Sequence, residues 1–328
     1  MDPRIQRILI MLGAGLAAAV LFVVPVKGTL LAMAIAFVAP LPIMIAALGF
    51  GHATGLGAGL FGALLIALFL HPLYALTFAA TLALPSWWLS RLALLSRPAL
   101  DPAAKIVVFY PLGGLLAWIA IIAGATALAL VGVVEVTYGS YDAAIQDLSG
   151  QLAPLFQGLF GDSDALPAGL SMESFAALVI QAMPPVMAAW GVITFSVNLW
   201  LAGRVVLISE RLPRPWTDVP ANLRLPRLAV SALGLALAFC LLGGFGRMIA
   251  ASIAAAIGTA FALQGLAVIH AITRGSKMRA PILGGMYALI FALMPWPLIM
   301  AAFVGVADAV FPFPGRRPPE PPSIVPQP

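Results

Sequence analysis

Nine stretches of this chain are long and apolar enough to be membrane-spanning helices, and that constrains the fold more than anything else in it. They run approximately over 8–25, 29–48, 54–70, 73–90, 106–134, 175–203, 228–245, 248–272 and 281–311. A helical span needs about 20 mostly apolar residues, with roughly 17–25 tolerated. Hydrocarbon offers no water to open backbone groups, and no segment alternates as a barrel strand would, so helices are expected throughout. Charged residues are 9% of the chain, against about 25% in a soluble domain. With a mean hydropathy of +1.06, lipid must cover most of the surface. The expectation is an all-α, polytopic integral membrane helix bundle of about eight to ten transmembrane segments. It occupies residues 1–314, and a Pro-rich tail of 315–328 follows, expected to be disordered.

The charges indicate the threading. Between Ile106 and Gly203 there is no lysine or arginine, yet Glu135, Asp142, Asp147, Asp162, Asp164 and Glu173 all fall there. Basic residues flank the gap, and such residues near span ends stay on the cytoplasmic side. The chain is therefore expected in the cell inner (plasma) membrane, with Arg4 and Arg7 keeping the N-terminus cytoplasmic. The basic loop 204–227 is cytoplasmic as well, and 135–174 is external. With nine crossings, thirteen of the seventeen Lys and Arg fall inside; Lys27, Arg247, Arg316 and Arg317 are the four outside. The N-terminal apolar run has no convincing small-x-small cleavage site and reads as a retained first span.

Two segments depart from simple spans. Tyr141, Ile145, Leu148, Leu152, Leu155, Phe156 and Leu159 recur every three or four residues, which predicts an amphipathic external helix. It either covers the bundle or membrane surface, or forms a lid over a substrate cavity. The last apolar stretch, 281–311, is too long for one straight span and is interrupted by Pro295-Trp296-Pro297. Two short arms there would form a hairpin and return the tail to the cytoplasm, because proline removes a donor and clashes with the preceding turn.

Local motifs exclude more chemistry than they suggest. Gly57-Ala58-Gly59-Leu60-Phe61-Gly62 fits GxGxxG but lies inside an apolar run with no strand before it, so a dinucleotide site is not indicated. Gly55, Gly59 and Gly62, like Ala14 and Ala18 on the first span, read instead as helix-packing positions. Cys240 is the single cysteine, and His52, His71 and His270 have no ligand-like spacing. No cofactor, metal site, nucleic-acid partner or catalytic residue is expected, and the chain does not read as an enzyme.

Polar groups at membrane depth are costly to bury and therefore informative. Asn198 and Gln264 are expected to hydrogen-bond across helices or to contact a ligand, and Gln181 to line an entrance. Asp308, near the end of the last apolar run, either sits at the interface, or pairs with an internal cation or carries a proton. Together Gln181, Asn198, Gln264 and Asp308 are the candidate ligand-binding residues. Proline pairs at Pro40/Pro42, Pro184-Pro185 and Pro295/Pro297 predict broken spans, a device of solute transporters and also of helices that kink for packing.

These residues carry a resemblance. The basic start, the Gly55–Gly62 cluster, the amphipathic outer segment and the closing Gly305-Val306-Ala307-Asp308-Ala309-Val310-Phe311 resemble the bacterial predicted-membrane-protein family catalogued as domain of unknown function 2232. That resemblance implies a polytopic bundle and brings no activity with it. More distantly, the early spans look like substrate-binding components of energy-coupling-factor transporters. Ala14 and Ala18 would then match the small-residue face such components present to a membrane partner. The functional expectation is a transport-related or small-solute-binding membrane protein. The alternative is a non-enzymatic scaffold or assembly factor. The partners implied are the lipid bilayer and either a membrane protein or a small-molecule ligand.

Overall fold

A computed structural model describes residues 2–24, 30–98, 106–160, 170–311, 313 and 323–324. The fold is an all-α membrane helix bundle. Among the described residues five helices are long and apolar enough to cross a membrane: α1 (Pro3–Val23), α4 (His52–Phe69), α7 (Leu112–Tyr138), α9 (Met172–Ile208) and α12 (Gly244–Ile272). The other apolar stretches fold as shorter pieces, and proline and glycine account for much of this. The second becomes α2 (Leu30–Ala36) and α3 (Leu41–Phe50), separated at Pro40. The fourth is α5 (Pro72–Phe78), a π-helical turn (Ala79–Ala83) and α6 (Leu84–Leu94) in unbroken succession. The seventh is α11 (Leu228–Phe239). The last divides at Pro295 into α13 (Arg279–Leu293) and α14 (Trp296–Val310). Fifteen residues each, these two arms are about 22 Å long, short of a hydrocarbon core of about 30 Å.

The chain divides into two compact units. The first comprises Met1–Ile119, Val192–Arg227 and Ala260–Pro328, and the second Ala120–Gly191 and Leu228–Thr259. In the first unit the early helices pack through small residues. A Cβ on Gly15 would lie 2.5 Å from the Ala58 carbonyl oxygen, and one on Gly62 2.8 Å from that of Gly15. Gly55 abuts Ala47 and Gly59 abuts Ala83. Ala18 is fully buried, and Ala14 packs against the same core, which includes Ile43, Ile66 and Phe78. The face inferred to await a membrane partner is therefore covered by α4 of the same chain. That part of the transporter analogy is corrected.

Two short strands, β1 (Ser96–Pro98) and β2 (Val107–Phe109), pair antiparallel before α7. Helix starts only at Leu112, later than hydropathy suggested, because Val107–Phe109 is extended and Pro111 follows Tyr110. β3 (Ser323–Ile324) pairs with Val107–Val108. The rest of the tail, with Arg316 and Arg317, lies outside the described residues, as do Lys27, Lys105, Asp162 and Asp164.

In the second unit the amphipathic segment forms α8 (Tyr141–Phe160). Its Tyr141 and Ile145 are buried with Val131 of α7 and Ile180 of α9, and Leu148 and Leu152 pack beside them. The expected break at Pro184-Pro185 does not occur: α9 runs through as 37 residues. Proline at 184 removes the amide that would bond the Ile180 carbonyl. The Tyr141 hydroxyl donates to that oxygen instead, at 3.2 Å. Burial pushes the Tyr141 phenol above its usual range, so it remains protonated and able to donate.

Candidate functional site

A charged cluster is assembled within the first unit from three distant segments. After α9 the chain passes through a short helix, α10 (Val219–Asn222), and extends at Leu223. It then runs so close to the start of α7 that a Cβ on Gly113 would sit 1.5 Å from the Arg224 carbonyl oxygen. Glycine at 113 is thus required for Arg224 to take its place. On the other side α12 and α14 cross with their backbones in near contact. A Cβ on Gly265 would meet the Ala301 oxygen at 1.8 Å, and one on Gly305 the Phe261 oxygen at 2.0 Å. This crossing brings Gln264 and Asp308 together.

Asp308 is fully buried, and so is Gln264. Arg224 reaches the carboxylate with both nitrogens of its fork, Nε to Oδ2 at 3.3 Å and Nη2 to Oδ1 at 3.4 Å. Gln264 Nε2 donates to Asp308 Oδ2 at 2.8 Å and to the Gly305 carbonyl at 3.2 Å. Its Oε1 accepts from the Leu225 amide at 2.8 Å. Every polar atom of Gln264 is thereby used. A buried carboxylate is tolerated only when paired and hydrogen-bonded, and both conditions hold here. The expected internal cation partner of Asp308 is Arg224.

The pairing fixes a further point of threading. Asp308 lies in the last turn of α14, so that helix ends beside the 222–227 segment. Ser323–Ile324 pairs with Val107–Val108, and Arg214 donates to the Tyr110 carbonyl. Ser323–Ile324 and Arg214 of the basic loop thus both meet the 107–110 segment.

The cluster forms part of the wall of a cavity of about 530 Å³, together with Tyr110, Thr217, Asn222 and Arg227. Arg224 and Arg227 line this cavity with one carboxylate, Asp308, a formal excess of one positive charge. A second cavity of about 160 Å³ has Leu112 and Thr217 in common with the first and is otherwise mostly apolar. Arg214 lies against it, buried, with Nη1 donating to the Ala93 carbonyl at 2.8 Å. Burial pushes the Arg214 guanidinium down to about 10, which leaves it charged at neutral pH. The hydroxyls of Ser196 and Thr217, which line this cavity, are buried and have no hydrogen-bond partner among the described residues.

The other two candidate residues lie elsewhere. Asn198 is fully buried on α9, where its Nδ2 donates to the Phe37 and Thr194 carbonyls, both at 2.8 Å. The Leu41 amide turns to Val38 instead of Phe37, so Asn198 serves the carbonyl exposed by the break between α2 and α3. This is interhelical bonding. Gln181 belongs to the second unit, half-buried on α9. The sequence reading missed Arg224 as a partner, treating it only as a topology marker, and missed Gly113, Gly265 and Gly305. One signal was available: Ala301, Gly305 and Ala309 form a small-residue stripe at intervals of four, and all three are buried.

The fold and this site define a polytopic helical membrane protein with a charge-paired cavity in its first unit. The chain belongs to the family described as predicted membrane protein (DUF2232), whose model matches residues 16–309. No curated protein and no solved structure matches it.

Proposed function

We propose that this protein binds a small anionic solute in the cavity beside Arg224 and Asp308, as a transport-related component rather than an enzyme. The observation that carries this reading is the net positive wall of a cavity of about 530 Å³. That volume falls within the roughly 300–1,000 Å³ of small-molecule sites. Guanidinium forks suit carboxylate and phosphate oxygens, and Arg227, unlike Arg224, has no carboxylate partner drawn from the cluster. Binding is favoured over catalysis because the Asp308 oxygens are taken up by Arg224 and Gln264. A general base needs an accessible lone pair.

The scaffold alternative draws less support. Its basic loop spends its cations internally: Arg204 stacks on Trp216, Arg211 on Phe50, Arg214 bonds carbonyls, and Arg224 bonds Asp308. By the positive-inside preference this end faces the cytoplasm, so the anion would enter or leave on that side of a plasma membrane.

The test is thermal unfolding of the full chain in lipid nanodiscs against acetate, inorganic phosphate, amino acids and the corresponding amines. Anions should raise the melting temperature, and Arg227→Ala should weaken that effect about tenfold in concentration. A protein stabilised by amines or neutral solutes but never by anions would overturn the reading.

A further inference from the structure

We infer that the small apolar cavity under Thr217 is the tail compartment of the same site, so that the ligand is an amphipathic anion whose non-polar part is about six carbons long. This rests on the reading that the larger cavity holds an anionic group. Three observations extend it.

The two cavities share Leu112 and Thr217 in their walls, so they adjoin at those residues. The compartments differ in chemistry. The larger is walled by Arg224, Arg227, Asp308 and Asn222, whereas Leu115, Leu116, Leu199 and Leu263 surround the smaller. Arg214 and Ser196 also line the smaller, but most of its wall is apolar side chains, which suit a methylene chain. The volume sets the length. About 160 Å³ is close to the roughly 150 Å³ of an engineered apolar cavity in another protein that holds one benzene.

The hydroxyls add a finer requirement. Buried polar groups are nearly always bonded, and an orphan calls for a partner. Thr217 Oγ1 lies at the junction and Ser196 Oγ lines the apolar side, both buried and unbonded. A ligand with a hydrogen-bonding atom near its head would satisfy Thr217, and a second one partway along its non-polar part would satisfy Ser196. A plain hydrocarbon tail fits the volume, and a tail with one embedded polar atom fits the volume and the hydroxyls.

The experiment uses straight-chain carboxylates from acetate to dodecanoate, below their micelle concentrations, with the full chain in nanodiscs. Affinity is read by calorimetric titration. Alkylamines of equal length and the plugged variant Leu199→Trp serve as controls. Each methylene should tighten binding about fourfold up to about six carbons, after which affinity levels or falls. In Leu199→Trp, acetate should bind as before while hexanoate loses at least tenfold; an unaltered acetate affinity also shows that the variant folds. If acetate binds but added length brings nothing, the tail compartment is refuted and the anion site stands. If length helps carboxylates and amines equally, or helps the plugged variant as much, partition into lipid explains it and the inference fails. Should no carboxylate of any length bind, the anion site itself fails, and this inference with it.

Discussion

Two helix crossings in the first unit meet the same demand by different means. Where α1 crosses α4, Gly15 and Gly62 let each backbone approach the other, and the surroundings are alanine, isoleucine and phenylalanine. Where α12 crosses α14, Gly265 and Gly305 do the same, yet Gln264 and Asp308 stand beside them and reach out to Arg224. Lipid tails are as apolar as leucine, so small residues with close van der Waals contact are enough to hold helices together. The first crossing shows that such packing needs no charge. The charges at the second are an additional expense, because a buried ion pair seldom stabilises more than a well-packed apolar replacement. What they add is a fixed position for the 222–227 segment and a polar wall for a cavity.

This contrast can be broken experimentally. Asp308→Ala leaves the Arg224 guanidinium beside a vacated carboxylate site, and should cost about 3–5 kcal/mol, read by thermal or denaturant unfolding in nanodiscs. The double variant Arg224→Met with Asp308→Leu should recover most of that loss, because both charges leave together. A double variant as unstable as the single one would mean that the pair is needed for folding itself.

Gly305→Ala places a methyl against the Phe261 backbone oxygen, which cannot yield as a side chain can. A loss of about 1–3 kcal/mol is expected, at the upper end. Gly62→Ala, at the first crossing, meets the Gly15 carbonyl oxygen at 2.8 Å rather than 2.0 Å, and should cost clearly less than Gly305→Ala in the same measurement. The reverse order would contradict the view that the second crossing is the more constrained.

Gln264→Leu removes the partner of the Leu225 amide and one donor to Asp308. It should cost about 1–3 kcal/mol and should speed hydrogen exchange at the Leu225 amide. Normal protection there would show that Gln264 is not what holds the segment.

The smallest effect belongs to an exposed pair outside the crossings. Asp218 bonds Arg274. That hydrogen bond, aided by the positive charge, holds its carboxyl below the usual range. Because the folded value is depressed, the contribution is present above the unfolded value of about 3.9 and is lost as pH falls through the folded one. Both side chains are more than a third solvent-exposed, so Asp218→Asn should cost at most about 1 kcal/mol at neutral pH. Wild type and variant should converge in stability in strong acid.

The sequence made the membrane bundle legible because hydropathy is a local property that survives without partners. It also marked Gln264 and Asp308, since a polar group in an apolar run must be answered by something. It could not identify what answers them. Arg224 is 84 residues from Asp308 and looked like any other basic residue flanking a span. Prolines gave an uneven signal for a similar reason. Pro40 and Pro295 each stand immediately before a new helix, whereas at Pro184 the freed carbonyl finds the Tyr141 hydroxyl, which lies 39 residues away from Ile180. Whether a proline breaks a helix depends on whether another residue supplies the missing donor.

That hydroxyl gives α8 a mechanical task. A 37-residue helix with two consecutive prolines has a built-in pivot, and one phenolic proton from outside the helix works as its splint. Stiffness in α9 is thus held by a side chain that can be withdrawn without unfolding a single turn.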